Sequence, residues 1–332
     1  MVARNRYLNI NQYIVDPDRE YTKLCQKLNG TMIDFKNYTI NVMDIRETTK
    51  EGNESYLENK LRKLKAFFEI IFKGITDEEM SILEDKIIKC YEQKEITFDD
   101  NSLYQKNKKF KQSTDMPRLE DLYKILQKEK KLEKYKILLK PYISGSMKFL
   151  NNYTNVNLSN KIVVTDVYDI EENDLPTMMY IVTEFYWDKI KEERGKKKIL
   201  YLDEVWRLVN TSEETADFVF KVFKTIRKYG GAATAITQDI NDFFALKNGK
   251  FGMGIINNSS IKCMFQLEEN DLNNLEKIIN ISENEKYKLQ CLERGNCIMC
   301  AGKEHTLLKV EASSKEHEFI TTDRKDLQQK VV

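Results

Sequence analysis

The chain contains 332 residues, of which 41% are hydrophobic, enough to bury the core of one large domain or two ordinary ones. Lys and Arg number 54 against 53 Asp and Glu, so net charge gives no general attraction to nucleic acid or anionic lipid. Only 12 Gly and 4 Pro are present, which argues against a loop-rich or all-β protein. The sequence has no apolar run of about 18 residues and no apolar secretory signal at its start, so we expect a cytoplasmic protein.

The first 55 residues predict two short strands. "NQYIVD" at 11–16 is one of them, "TMIDF" at 31–35 is the other, and "MVARNRYLN" is typical of the end of a helix. Between the strands, Asp16 and Pro17 predict a turn, with Asp16 capping a following helix whose first turn contains Pro17.

Residues 56–140 change to a charged, helical pattern. "LENKLRKLKAFFEIIFKGI" places apolar residues at helical spacing, and Thr76 followed by Glu79 is a capping-box signature for a second helix. Two shorter helices follow a lysine-rich loop near 99–116. We predict an inserted all-α subdomain at 56–140, flanked by a core domain made of 1–55 and 141–332.

Strands and helices alternate from residue 161 onward. Helical segments separate "KIVVTDV", "KKILYLDEV", "AATAITQ" and "SIKCMFQL", and a terminal pair of strands closes the chain. This order predicts an α/β fold with a mostly parallel sheet covered by helices, in which ligands bind at the carboxyl ends of the strands.

Two adjacent carboxylates, Asp203 and Glu204, end the strand "KKILYL". Hydrolysis of a phosphoanhydride needs a phosphate cradle, a metal and a positioned water. In this position Asp203 could hold Mg²⁺ and Glu204 could polarise the attacking water. The alternative interpretation is a pair of acids that caps a helix at a strand end.

Further polar residues near the neighbouring strand support the ATPase interpretation. Gln238 ends "ATAITQ", where a polar side chain can touch the γ-phosphate or its water, although a turn residue is the plain alternative. Arg227 and Lys228 end the preceding helix, from which a cation could reach the nucleotide of a neighbouring subunit. They could equally satisfy the carboxyl end of that helix.

The six cysteines predict reduced thiols rather than a metal or redox centre. Cys297 and Cys300 form a C-x-x-C, but it lies in an apolar strand, and neither a second pair nor histidines at finger spacing accompany it.

"YLDEVWRLV", "IRKYGG", "AITQDINDF" and "INNSS", at these separations, resemble the VirB/TraC-type traffic ATPases of conjugative type IV secretion systems, within the HerA/FtsK superfamily. "IVDPDREY", "LNGTMIDF" and the C-terminal "SSKEHEFITTD" are also similar to that family, so the resemblance covers nearly the whole chain. It implies a RecA-like P-loop NTPase that binds ATP and Mg²⁺ and energises a conjugation channel.

The resemblance also implies roles for individual residues. Asp203 matches the metal-binding acid, Glu204 the catalytic acid and Gln238 the polar sensor. Arg227 and Lys228 match a basic pair that acts between subunits, and Asp16 and Glu20 match acids near the nucleotide. The implied partners are further copies in a hexamer, and the inner-membrane components of the channel at whose cytoplasmic face the protein sits.

The sequence departs from the family in one respect. A phosphate loop, G-x-x-x-x-G-K-[ST], is absent from the 332 residues, and in the family it lies shortly before the strand that corresponds to 11–16. We therefore expect that the loop precedes residue 1, and that this chain alone is weakly active or inactive.

Two other functions stay open from the sequence. A non-catalytic scaffold could share the fold, although it would not need both Asp203 and Glu204. A DNA-pumping coupling protein is the related alternative. Lysine-rich stretches such as 106–111 could contact DNA, but their interleaved polar residues favour a solvated surface.

Overall fold

A computed structural model of the protein describes residues 1–47, 54–192, 194–244, 249–276 and 278–322. The chain divides into two compact units. Met1–Met32, Lys161–Val164 and Gly195–Val332 form the first unit, and Ile33–Asn160 with Thr165–Arg194 form the second. The predicted insert at 56–140 lies in the second unit, together with segments on both sides of it.

A five-stranded sheet organises the fold. Its strands are β1 (Asn11–Asp16), β2 (Thr31–Ile33), β3 (Ile162–Asp166), β4 (Lys198–Leu202) and β5 (Gly231–Ala235), in the order β2-β3-β1-β4-β5. β1 pairs with β4, and β4 with β5, in parallel. β1 is buried along its whole length and β4 nearly so, as expected for strands covered on both faces. The predicted α/β class is confirmed.

A second sheet contains β6 (Ile261–Met264), β7 (Asn296–Ala301) and β8 (Glu304–Lys309), all antiparallel. The alternation of elements suggested that β6 continues the parallel sheet, and this is wrong. β6 pairs with β7 instead, because Met264 and Ile298 then share one buried cluster with Leu272 and Leu289. The predicted terminal pair of strands is confirmed as β7 and β8, and it contains the buried Cys297 and Cys300.

Helices surround the sheets. In the first unit they are α1 (Val2–Tyr7), α2 (Thr22–Lys27), α8 (Trp206–Val209), α9 (Glu213–Thr225), α10 (Lys250–Asn258), α11 (Glu269–Leu275), α12 (Glu283–Gln290) and α13 (Ser314–Ile320). A 3₁₀ turn at Ile226–Tyr229 follows α9 and ends at Gly230, whose φ of 71° only glycine adopts readily. Another covers Ile240–Phe244. α10 was not anticipated from the sequence.

The second unit is helical, as predicted for its central part. Its helices are α3 (Tyr56–Ile71), α4 (Asp77–Glu92), α5 (Leu119–Leu126), α6 (Glu133–Ser144) and α7 (Leu175–Glu192). Thr76 and Glu79 form the predicted capping box of α4, and Ser55 and Glu58 form another at α3. The remaining 3₁₀ turns are at Asp100–Leu103, Ser113–Asp115, Lys130–Leu132 and Lys148–Asn151.

Candidate active site

The carboxyl ends of β1, β4 and β5 bring the predicted acids together. The last registered pairs are Val15 with Leu202 and Leu202 with Ala235. Asp16 and Asp203 each follow one residue later, so they lie side by side where the two strands end. Parallel strands present such residues at one edge of the sheet, which is the edge used for ligands in this class of fold.

Asp16 organises the turn that leaves β1. Its carboxylate accepts the backbone N–H groups of Glu20 and Tyr21, each at 3.0 Å, and its side chain is fully buried. The helix predicted to start near Pro17 begins later, at Thr22, and no side chain caps it. Asp16 therefore closes the turn before the helix rather than capping the helix itself, because both N–H groups that it accepts precede Thr22, the first residue of the helix.

Asp203 lies in a crowded acidic environment. Burial, followed by the negative charge of Glu20, raises the pKa of Asp203 to about 7. The Tyr21 phenol is hydrogen-bonded to Asp203, and burial together with the Asp203 charge raises the pKa of Tyr21 well above its ordinary value. Burial and the charges of Asp18 and Glu204 raise the pKa of Glu20. A bound cation would relieve this repulsion.

Glu204 is held in an unusual backbone conformation. Its φ is 47°, in the left-handed region that non-glycine residues rarely adopt. Gln238 Nε2 donates to Glu204 Oε1 at 2.7 Å, and Trp206 Nε1 donates to Oε2. Both carboxylate oxygens are thereby oriented by donors from two different segments, and Glu204 is 6% exposed.

Arg227 and Lys228 lie at the other edge of the sheet. They are exposed residues of the 3₁₀ turn that precedes β5, and Gly231, where β5 begins, pairs with Lys198. A five-residue strand separates them from the acidic edge by roughly 15 Å. Within one chain they are not brought to Asp203 and Glu204.

The acidic edge fits a magnesium ion that is shared with a nucleotide. In the described ranges, no three Asp, Glu, His or Cys side chains are placed to hold a metal ion by themselves. Mg²⁺ is usually bound by one or two carboxylates, with phosphates and water as the other ligands. Asp203 is the suitable carboxylate, since it directly follows β4 beside Asp16, and burial together with the negative charge of Glu20 raises its pKa to about 7.

Tyr21 and Trp206 are site residues that were not predicted from the sequence. Tyr21 lies in "DREY" and Trp206 in "DEVWRL", and each places its polar group next to an acid of the site. The available signal was an aromatic residue with a donor close to a strand-end carboxylate.

Comparisons with known proteins agree with this fold. The structure of VirB4 from Thermoanaerobacter pseudethanolicus superposes with a TM-score of 0.86 at 26% identity, covering 96% of this chain and 86% of that one. The plasmid coupling protein TrwB, solved with ADP and Mg²⁺, has a TM-score of 0.51 at 10% identity, covers 96% of this chain and 89% of that one, and shares the fold alone.

Protein TraC of Escherichia coli (strain K12) is 28% identical over 110 residues, which are 32% of this chain and 13% of TraC. The match thus spans a small part of that relative. No described helix is long and apolar enough to cross a membrane. The family described as the TraG P-loop domain matches residues 2–331. The chain therefore belongs to the TraG P-loop domain family, among the traffic ATPases of type IV secretion and conjugation.

Proposed function

We propose that the chain is the C-terminal part of an ATP-hydrolysing motor that energises DNA or protein transfer, or channel assembly, in a conjugative type IV secretion system. The observation that carries this proposal is the arrangement of Glu204, oriented by Gln238 and Trp206 beside Asp203. A non-catalytic scaffold would not require a buried acid such as Glu204, which has a positive φ and a carboxylate oriented by two donors.

Asp203 is the residue that would hold Mg²⁺, and bound Mg²⁺ would neutralise charge on the phosphates of ATP. Tyr21 orients the Asp203 carboxylate through their hydrogen bond. Asp16 fixes the turn that carries Tyr21 and Glu20, so its role is to position the cofactor-binding residues. Glu20 adds a second acid close to the same point.

Glu204 is the residue that would accept the proton of the attacking water. A general base must lie within hydrogen-bond reach of that water and present a free lone pair. Gln238 and Trp206 fix the direction of its carboxylate without donating a full charge to it. Gln238 is exposed, so a bound phosphate could also draw its amide away from Glu204.

Arg227 and Lys228 would act on the nucleotide of a neighbouring subunit. Their position at the far edge of the sheet, with exposed side chains, suits a contact in trans rather than in cis. A cation supplied in this way stabilises the transition-state charge of phosphoryl transfer. This role requires a ring of copies, and we propose the hexamer that the family resemblance implies.

No G-x-x-x-x-G-K-[ST] occurs in these 332 residues, so they supply no backbone cradle of that form for the phosphates. We propose that the motor lies at the cytoplasmic face of the membrane, bound to inner-membrane components of the channel. A non-catalytic subunit with the same fold is the second candidate.

The test compares magnesium-dependent ATP hydrolysis by this chain with that of a longer polypeptide that adds a strand and a phosphate loop at its N-terminus. Glu204→Gln should lower turnover of the longer polypeptide by about 10²–10⁴-fold, the usual contribution of a general base. The 332-residue chain should show no turnover above that of its own Glu204→Gln variant.

Ser81→Ala, on an exposed surface of α4, is the control and should leave turnover unchanged. Turnover of the longer polypeptide that survives Glu204→Gln would contradict the catalytic role of Glu204. A longer polypeptide that shows no turnover even with Glu204 intact would favour the non-catalytic subunit.

A further inference from the structure

The second unit contains a buried group of charges where α3 packs against α7. The Lys60 cluster, as we name it, has four basic and three acidic members. They are Arg46, Lys60, Lys63 and Lys191, with Asp44, Glu184 and Asp188. Buried charges are costly unless each is paired and hydrogen-bonded, so the partners of each member decide what the cluster can do.

All three carboxylates are already engaged. Asp188 accepts from Arg46 at 3.0 Å and from Lys63 at 2.5 Å, and it also pairs with Lys191 at 3.3 Å. Lys63 donates to Glu184 at 2.5 Å. Asp44 accepts from side chains outside the cluster, namely those of Asn41, Ser113 and Thr154.

Lys60 is the member without an ion-pair partner among the described residues. It is only 5% exposed, and its ammonium makes no hydrogen bond or ion pair with the part of the chain that the structure describes. Burial lowers the pKa of Lys60 to about 8. The charges of Glu184 and Asp188 oppose this shift, and those of Arg46 and Lys63 add to it. Arg46 Nη2 is a second buried donor without a hydrogen-bond partner.

Lys60 and Arg46 line a cavity of about 20 Å³, above the ~10–15 Å³ that one water-sized group needs. Ser55, Tyr56 and Asn59, from the first turns of α3, line the same cavity. The start of this 16-residue helix adds partial positive charge. Three carboxylates, those of Asp44, Glu54 and Asp188, also line the cavity. Glu54 is bonded to Arg62 through both oxygens, and Asp188 is bonded to Arg46 and Lys63. Asp44 accepts from Ser113 and Thr154.

We propose that this cavity binds a single monatomic anion of the halide class, held by Lys60, Arg46 and the start of α3. Lys60 and Arg46 Nη2 are buried donors without a hydrogen-bond partner among the described residues, and one monovalent anion would supply that partner. The volume of about 20 Å³ admits one such ion. The ion would join α3 to α7 and so stabilise the second unit.

The first test is thermal unfolding of the full chain in sodium chloride against sodium gluconate at equal ionic strength. Chloride should raise Tm in a saturable way, by on the order of 2 °C. Lys60→Met should abolish this rise. In gluconate its Tm should match or exceed that of the parent chain, because an apolar side chain of similar length removes an unpaired buried charge. Lys65→Met, on the half-exposed side of α3, is the matched control and should keep the rise.

The second test is the anomalous signal of bromide in crystals of the full chain, which does not depend on the variant being folded. A bromide peak beside Lys60 and Arg46 supports the proposal, and its absence at saturating bromide overturns it. A chloride response that Lys60→Met retains also overturns it. A larger response to phosphate than to chloride, lost in Lys60→Met, would assign the site to an oxyanion and reject the halide.

Discussion

Glu204, the proposed general base, has a strained backbone conformation. A non-glycine residue at φ 47° costs about 1–3 kcal/mol, which the hydrogen bonds from Gln238 and Trp206 must offset. We expect Glu204→Gly to be more stable than Glu204→Ala by about 1 kcal/mol, since both lose the carboxylate but only glycine adopts this φ without strain. Urea unfolding of the two variants measures the difference. Equal stabilities would show that the backbone there is not strained.

Asp203 should make stability depend on pH. Because its folded-state pKa is raised to about 7, the folded protein retains a proton that the unfolded chain loses near pH 4. The contribution of the Asp203 carboxyl to the free energy of unfolding is therefore lost as pH rises from about 4 to 7. Asp203→Asn should stabilise the magnesium-free protein at pH 8, and this gain should shrink toward pH 4.

Denaturation at a series of pH values checks this expectation, with the exposed Asp85→Asn as the control. A gain from Asp203→Asn that is the same at pH 5 and pH 8 would contradict the raised pKa.

Part of the site could be predicted because residues that directly follow neighbouring parallel strands lie at the same edge of the sheet. Asp203 and Glu204 end one buried strand and Gln238 follows the next, so a parallel sheet must bring them to one edge. The hydrogen bonds of Tyr21 and Trp206 could not be predicted, because they depend on how each turn folds back. The Gln238–Glu204 hydrogen bond joins residues 34 positions apart, and no local pattern specifies it.

At the scale of elements, α10 shows why a helix can be missed when structure is predicted from the sequence. Gly252 and Gly254 lower its helix propensity, so "KFGMGIINN" has the composition of a loop. The structure explains both glycines by close packing. A Cβ on Gly252 would lie 2.1 Å from the backbone oxygen of Phe243, and one on Gly254 would lie 2.6 Å from the ring of Phe220.

Gly252→Ala should therefore destabilise the protein by about 1–3 kcal/mol, as overpacking against a fixed backbone does. Gly254→Ala is the matched comparison, because the Phe220 ring can shift and alanine favours the helix by up to about 1 kcal/mol. Thermal unfolding should rank Gly254→Ala as clearly the more stable variant. The reverse order would show that α10 does not pack tightly on Phe243.

One of the two long-helix capping boxes in the second unit was predicted from the sequence. The Thr76–Glu79 signature is local and was confirmed. The compact unit begins near residue 33 because hydrogen bonds between residues that are far apart in sequence join residues 39–41 to residues 153–155. In one of them, Thr39 Oγ1 donates to the Tyr153 carbonyl at 2.6 Å. Such long-range pairs leave no periodic pattern in the sequence.

For the whole molecule, β5 leaves the main sheet with an open edge. It pairs with β4 on one side, and among the described strands nothing pairs with the other side. Its residues are small, uncharged and partly exposed, without the lysine or proline that usually protects an edge strand. We expect the purified chain to self-associate through this edge.

Ala232→Lys, at an exposed position of β5, should reduce concentration-dependent association measured by light scattering. Ser81→Lys adds the same charge on α4 and is the control. Association that both variants reduce equally would point to net charge rather than to the edge of β5.

The indole of Trp206 gives the acidic edge a built-in optical reporter. The chain has two tryptophans, and the other, Trp187, is buried in α7. Trp187→Phe leaves one indole, whose N–H is bound to Glu204. The emission of that indole should change when a ligand alters the Glu204 carboxylate, so occupancy of the site would be measurable by fluorescence without any attached dye.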